Sequence, residues 1–369
     1  MKAKDRKLIT AKSGTATLAD VARVAGVSRQ TAGAVLLGGR SNTRTSGETV
    51  RKILRAAQHL SYSPNQAARL LKGAKSRLVG VLNRIRSDDD PSHTLITRKL
   101  VEELTGHEFM ASLAIYVEGG KSYEEMVKEL TRLGLAGLVI LDAEILKDRG
   151  LLQNLLELCP AAVFYPGGSP LPEVCGHAVD VNRSLAARLA VRHLIERGKK
   201  RIAVFDAPHP DGSAADRAGL TRMSGFRQEM QAQGRSPGLA CIPKWWSPRS
   251  TDDVSGVRKA AGSAIDTLVV SQKADAIFSM ALGPSVTVAL AQELLKRGYR
   301  VPGDVAIITV RDYPIYEALK PSISAVKLHH DRIAAPMVAM LNEMVGDAGK
   351  IAARKKVLID PELIAREST

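Results

Sequence analysis

Residues Thr17–Val35 read TLADVARVAGVSRQTAGAV, two short apolar segments divided only by Ala25-Gly26-Val27-Ser28. In the first segment Leu18, Val21, Ala22 and Ala25 recur at three- and four-residue steps, the spacing of one helix face. Thr17 stands ahead of it as a hydroxyl cap for N–H groups that have no partner inside the helix. Gly26 supplies the permissive backbone of a tight turn. Ser28 then caps a second helix whose inner face is Thr31, Ala32 and Val35, and the small side chains of Ala22, Ala25 and Ala32 let the two helices cross closely. A third apolar pattern, Val50, Ile53, Leu54, Ala57 and Leu60, follows Thr45-Ser46-Gly47-Glu48, which has the Thr-x-x-Glu spacing of a capping box. The pattern predicts a helix-turn-helix whose second helix offers Arg29 and Gln30 to a DNA major groove. Arg can donate two hydrogen bonds to guanine O6 and N7, and Gln can pair with adenine N6 and N7. A three-helix packing module with a solvated face is the competing interpretation.

Charge favours the DNA reading. Residues 1–77 hold 16 Lys and Arg against Asp5, Asp20 and Glu48, a net +13 of the chain's +15, and the other 292 residues carry only +2. A small basic head on a near-neutral body implies a polyanionic partner for the head. Beyond it, Pro64 stops the third helix, Asn65 can cap a short one over Gln66–Leu71, and Gly73 ends it. A helix of that length is unstable alone in water and needs a partner copy or DNA. Its exposed Leu70 and Leu71 suit insertion into a minor-groove base step, whereas a plain linker would dock them on the body.

The Thr17–Val35 stretch with its A-x-x-A-G-V-S turn, followed by Tyr62-Ser63-Pro64-Asn65-Gln66-Ala67-Ala68-Arg69-Leu70-Leu71, resembles the lac/galactose-repressor family of bacterial transcription regulators. The resemblance implies that Ser28, Arg29 and Gln30 begin a recognition helix, with Thr17 and Thr31 beside them. It places Thr43 and Ser46 on phosphates, and Leu71 at the operator centre flanked by Asn65, Ala68 and Arg69. Ala32-Gly33-Ala34 stands where the family usually has Val-Ser-Arg, and Leu37 replaces a usual Asn, so the operator sequence does not carry over from relatives.

From Leu78 onward, short apolar runs alternate with helical patterns. The runs are Leu78–Leu82, Ala111–Val117, Gly137–Leu141, Ala161–Tyr165, Ile202–Phe205, Ala276–Met280 and Val305–Val310. The helical patterns cover Leu95–Thr105, Ser122–Leu133, Ser184–Arg197, Met223–Gln233 and Val286–Arg297. This predicts an α/β body with largely parallel sheets, two of them at this length. Asp180-Val181-Asn182, Ala190–Phe205, Arg222-Met223-Ser224-Gly225-Phe226 and Val301–Ile308 extend the resemblance, which implies a two-lobed body like a type I periplasmic-binding protein. The expected organisation is a disordered basic tail over 1–16, the helix-turn-helix domain over 17–63, and a hinge helix and linker over 64–77. One lobe is expected over 78–180 and 328–354 and the other over 181–327 and 355–369, with crossings near Asp180, Lys327 and Lys355.

Ligands of such bodies bind in the interlobe cleft at the strand C-termini. The resemblance places Arg222 and Trp246 there, a guanidinium for hydroxyls or a carboxylate and an aromatic for stacking. A surface salt bridge and a packing aromatic are their structural alternatives. Around them the family pattern changes: Asp90-Pro91-Ser92-His93 replaces Asn-Pro-aromatic-aromatic, Ala281-Leu282-Gly283-Pro284-Ser285 lacks an acidic hydroxyl binder, and Arg311 stands where a sugar-binding aspartate is usual. Asp90, His93, Pro284 and Arg311 complete the expected cleft set. Arg311 with Arg222 favours an acidic sugar derivative over a neutral polyol, unless Arg311 pairs with Asp312 or Asp206.

Walker, H-E-x-x-H and G-x-S-x-G patterns and Cys/His metal clusters are absent from the sequence, so no enzyme, cofactor or metal is expected. Cys159, Cys175 and Cys241 lack disulfide or metal spacing, which fits small core side chains in a reducing cytoplasm. The basic N-terminus has no apolar signal core, and no run reaches the roughly 18 apolar residues of a membrane span. The expected protein is a cytoplasmic homodimer that binds a palindromic double-stranded operator and a sugar-like small-molecule effector. A regulator with a degenerate effector site and an exported solute-binding receptor are the alternatives, the latter leaving the basic head without a role.

Overall fold

The computed structural model describes residues 16–37, 45–62, 76–84, 91–117, 119–141, 145, 148–168, 175–206, 217–236, 239–241, 254–280, 283–346 and 355–369. The chain divides into two compact units, Met1–Ser76 and Arg77–Thr369.

In the first unit, helices α1 (Leu18–Ala25), α2 (Arg29–Leu37) and α3 (Gly47–His59) enclose Val21, Ala22, Ala32, Ile53, Ala56 and Ala57. Thr17 caps α1 in a reciprocal box with Asp20: the Asp20 N–H donates to the Thr17 hydroxyl at 3.3 Å, and the Thr17 N–H donates to the Asp20 carboxylate at 3.0 Å. Gly26 closes α1 at φ 68°, a left-handed conformation that a side chain would strain. The Thr31 N–H donates to the Ser28 hydroxyl at 3.1 Å, so Ser28 caps α2 as expected. The cap of α3 falls one residue later than the Thr45–Glu48 spacing predicts. Ser46 accepts from the Thr49 N–H at 3.3 Å, and Glu48 pairs instead with Lys52 one turn on.

The second unit holds two six-stranded sheets. Its elements run β1 (Leu78–Arg84), α4 (Ser92–Gly106), β2 (Met110–Tyr116), α5 (Tyr123–Arg132), β3 (Gly137–Ile140), α6 (Arg149–Leu158), β4 (Ala162–Phe164) and β5 (His177–Val181). There follow α7 (Arg183–Glu196), β6 (Ile202–Phe205), α8 (Arg217–Ala232), β7 (Leu239–Cys241), α9 (Val254–Ile265), β8 (Ala276–Ser279) and α10 (Pro284–Lys296). The chain closes with β9 (Ala306–Val310), α11 (Pro314–Ala318), β10 (Ser324–Lys327), α12 (Ala334–Gly346), β11 (Lys356–Ile359) and β12 (Glu362–Ile364). The first sheet has the order β11-β5-β4-β3-β1-β2 and is parallel throughout. The second has the order β12-β10-β9-β8-β6-β7, parallel except where β12 runs against β10.

Strands such as β3, β8 and β9 are buried along their whole length, as a parallel sheet covered on both faces requires. Two crossings between the sheets follow β5 and β10, near the expected positions. The third differs from expectation. Lys356–Ile359 pairs in register with Ala178–Val181 of the first sheet, so the crossing lies between Ile359 and Glu362 and not near Lys355. The first lobe therefore takes residues 355–359 that the sequence reading gave to the second. Each of these strands is only three or four residues long, too short for alternation to betray its sheet.

Cys159 and Cys175 are buried, and burial pushes the Cys159 thiol up to about 11 against a weak bond to the Ala161 carbonyl. Both act as small apolar side chains. No described helix is long and apolar enough to cross a membrane.

Candidate nucleic-acid interface and ligand cleft

Ser28, Arg29 and Gln30 are exposed at the start of α2, while Ala32 one turn behind them is fully buried. The turn and the cap fix this division. Gly26 reverses the chain, Ser28 starts the helix, and the Thr31 hydroxyl lies 2.8 Å from that of Ser28. Two long hydrogen-bonding side chains thus project from the N-terminal end of a packed helix, the end from which a recognition helix reads base edges. Thr17 and Ser46 are exposed hydroxyls at the N-termini of α1 and α3, where backbone N–H groups and the helix dipole favour phosphate.

The described part of this unit contains two acids, and each is paired on its own helix. Asp20 binds Arg23 as well as Thr17, and its carboxyl is held below the ordinary range chiefly by the Thr17 hydroxyl. Glu48 is held low by Lys52 at 2.9 Å. Their repulsion toward a phosphate backbone is offset locally. Thr43, Asn65, Ala68, Arg69 and Leu71 lie outside the described residues.

In the second unit, polar side chains collect where the parallel strands end. Asn83, next to last in β1, donates to the Thr97 hydroxyl at 2.9 Å, and its carbonyl lies 3.0 Å from His93 Nδ1. The His93 ring meets Tyr165 edge-on at 5.8 Å, just past β4. Tyr165 Oη accepts from Arg183 Nη2 at 2.7 Å, and Arg183 Nη1 forms an ion pair with Asp180. Asp180 also accepts from the backbone N–H of Gly168 at 2.9 Å and of Val181 at 2.8 Å. Burial works against the Arg183 charge and Arg311 repels it, but Asp180 and Tyr165 outweigh both and raise its pKa. This network joins the first sheet to α7 of the second lobe.

On the second lobe, Arg222 of α8 is 1% exposed, with Nη2 4.0 Å from Asp206 past β6 and 3.5 Å from the Met280 carbonyl past β8. Arg311 follows β9 directly, is 8% exposed, and holds φ at 74°, with its N–H donating to the Val326 carbonyl at 2.7 Å. Asp312, a suggested partner for Arg311, instead grips Arg366 through two bonds of 2.7 and 3.0 Å. Pro284 occupies the first turn of α10.

The surface salt bridge considered for Arg222 is overturned by its burial. His93, Arg222, Pro284 and Arg311 all sit at strand C-terminal ends, whereas Asp90 and Trp246 lie outside the described residues. Asn83, Tyr165 and Arg183 were not among the expected cleft residues. An arginine at the first position of α7 opposes the helix dipole, a signal in the sequence that something else holds it there.

Comparison with known proteins gives two family matches: "Bacterial regulatory proteins, lacI family" over residues 17–65 and "Periplasmic binding protein-like domain" over residues 191–369. The transcriptional regulator GntR of Pseudomonas aeruginosa is 28% identical over 98% of this chain and 97% of its own length. The transcriptional repressor PurR of Pasteurella multocida is 27% identical over 96% and 98%. The lac repressor dimer bound to operator and the anti-inducer ONPF superposes with a TM-score of 0.76 at 19% identity, covering 96% of this chain and 99% of that one. A complex of the regulator CelR with cellobiose gives a TM-score of 0.63 at 23% identity, covering 96% and 100%. These two structures share the fold.

Proposed function

The chain belongs to the lacI family of bacterial regulatory proteins and is a DNA-binding transcription regulator, and from that premise we propose that it is a homodimeric, cytoplasmic repressor of palindromic operators. A small-molecule effector of the sugar or acidic-sugar kind, bound between the lobes of the body, sets its affinity for DNA. The observation that carries the proposal is the exposure of Arg29 and Gln30 at the N-terminus of a packed second helix in a strongly basic unit. Among relatives, the Pasteurella protein is a repressor by name, and CelR was solved with cellobiose.

One recognition helix reads few base pairs, so specificity calls for two heads and hence a dimer. The edge of the first sheet supports this. Leu113 and Ile115 of β2 and the adjacent Val117 alternate along one face at 49%, 45% and 64% exposure, and Met110 and Leu133 nearby are about half exposed. We assign that face to a second copy of the chain.

Control by effector requires a ligand that prefers one arrangement of the lobes over the other. The Tyr165–Arg183–Asp180 link spans the lobes, so a ligand that competes for it changes their relative stability. A body retained for dimerisation alone is the rival reading, favoured by the way Arg183 and Asp180 already satisfy one another.

The test is recovery of genomic fragments at two salt concentrations, with and without sugars and sugar acids. Salt-sensitive recovery of a palindrome that responds to one ligand supports the proposal. Specific recovery that no ligand alters favours the rival. Recovery of no specific DNA refutes both.

A further inference from the structure

We infer that Asp360 and Glu362 tie the three crossings between the lobes into one linked hinge, an inference that rests on the reading of the body as two lobes whose arrangement governs DNA affinity. The crossings leave neighbouring strands. β11 and β12 are the outermost strands of their sheets, and β5 and β10 lie directly beside them. The third crossing is short, with only Asp360 and Pro361 between β11 and β12. The proline ring fixes its own φ and restricts Asp360 to extended conformations, so this segment bends little by itself.

Each of the other crossings is fastened to it. At the first, the Asn182 N–H donates to the Ile359 carbonyl at 2.9 Å, and the Asn182 side-chain amide donates to the Asp360 carboxylate at 3.0 Å. The oxygen of the same side chain accepts from the Leu185 N–H at 3.1 Å, so Asn182 caps α7 of the second lobe while it holds the third crossing. At the second crossing, His329 Nε2 lies 3.1 Å from the Glu362 carboxylate. The His329 ring is 2% exposed and its Nδ1 makes no hydrogen bond, so Glu362 holds the ring's one hydrogen bond among the described residues. The His329 backbone is left-handed at φ 53°, a costly conformation for a residue with a side chain, and its carbonyl accepts from the Arg332 N–H at 2.9 Å in the turn that leads to α12.

Asp360 and Glu362 are themselves exposed, so their contacts set geometry and do not fill the core. A movement of the lobes that bends the first or second crossing must either break its bond to the third or carry the third along. Breaking the His329 bond leaves a buried ring with no partner at either nitrogen, the expensive way to lose a hydrogen bond. Carrying the third crossing along keeps every bond. Linked motion is the cheaper course, and the two acids are its positioning residues.

The test is hydrogen–deuterium exchange of the full chain, read by mass spectrometry without DNA or ligand. Glu362→Ala should speed exchange about 2- to 10-fold, the worth of one hydrogen bond, over residues 329–333 and also over residues 182–186, with which Glu362 shares no hydrogen bond. Asp360→Ala should act in the other direction, reaching residues 329–333 from the first crossing. Asp360→Asn and Glu362→Gln keep an acceptor oxygen and should stay near wild type. Amides of β3 and β8 are the control for general loss of stability and should not change. Faster exchange confined to the crossing each acid touches, an equal rise in β3 and β8, or no change at all overturns the inference. Because exchange is read without DNA, failure of the wild type to recover specific genomic fragments would sink the regulator reading alone.

Discussion

Gly225→Ala sets two opposed effects against each other, and the structure decides between them. Alanine is favoured over glycine inside a helix by about 1 kcal/mol, so propensity alone makes the change stabilising. A Cβ at Gly225, however, would stand 2.3 Å from the carbonyl oxygen of Ser184 and 2.9 Å from both its carbonyl carbon and its Cα. All three are backbone atoms of α7, which no rotamer change can move aside, so the helices must part by about 1 Å to restore ordinary contact. That shift also stretches the bonds from Arg188 Nε and Arg192 Nε to Glu229 on the same face, each now 3.0 Å. Overpacking of this kind costs about 1–3 kcal/mol, and the weakened ion pairs add to it, for a net loss of about 2 kcal/mol. In a body of this size that lowers Tm by about 5 °C. The assay is thermal unfolding of the variant beside Gly106→Ala, a helical position where a Cβ meets nothing within 4 Å and no loss is expected. A melting temperature for Gly225→Ala equal to or above wild type would refute the argument. Arg183 adjoins Ser184 and Arg222 lies one turn before Gly225, so the same shift should weaken ligand binding in the cleft.

Three further outcomes are expected. Arg29→Ala should cost about 1–3 kcal/mol on the preferred operator and relax specificity at one base position, whereas Ser46→Ala should weaken all sequences alike, as competition binding would read. Burial alone would raise the Glu229 carboxyl, but hydrogen bonds from Arg192, Arg188 and Gln233 hold it at about 2. The stabilisation this brings is present above the unfolded value near 4.5 and is lost as pH falls toward 2. Glu229→Gln should therefore destabilise by about 2 kcal/mol at pH 7, a figure reduced for the half-exposed arginines, and by much less at pH 2.5 in urea unfolding. Leu113→Asp with Ile115→Asp should yield a monomer by sedimentation and lower operator affinity; an unchanged dimer would remove β2 from the interface.

Elements with strong local signals were legible in the sequence. The head was read nearly to the residue, because a cap, a periodic face and a glycine turn act over a few positions each. Even there the α3 cap went to Ser46 in place of Thr45, since two hydroxyls stood side by side and only packing chose between them. In the body, β6 and β9 announced themselves as apolar runs. Helix α12 did not, because AAPMVAMLNEMVG is apolar nearly all round and carries Pro336 within it, so no 3.6-residue face stands out. Strands β7, β11 and β12 are three or four residues long, and a strand of that length is defined by its neighbours rather than by its own pattern.

The cleft follows a different logic: its residues are those that break local rules. Arg183 places a cation at the positive end of α7, against the dipole, and Arg311 takes a left-handed backbone without being glycine. Each departure costs free energy, on the order of 0.5–2 kcal/mol, that nothing within its own element returns. Compensation comes from outside the element, from Asp180 and Tyr165 for Arg183 and from the Val326 carbonyl for the Arg311 backbone. Partners drawn from two lobes cannot be read from one segment, which is why Tyr165 and Asn83 stayed hidden, whereas Arg222 was singled out by resemblance and Arg311 by its departure from the family pattern. A residue that is locally unfavourable and fully buried needs a reason beyond its own helix or strand. In this chain two such residues lie at the strand ends, close enough for their charges to repel.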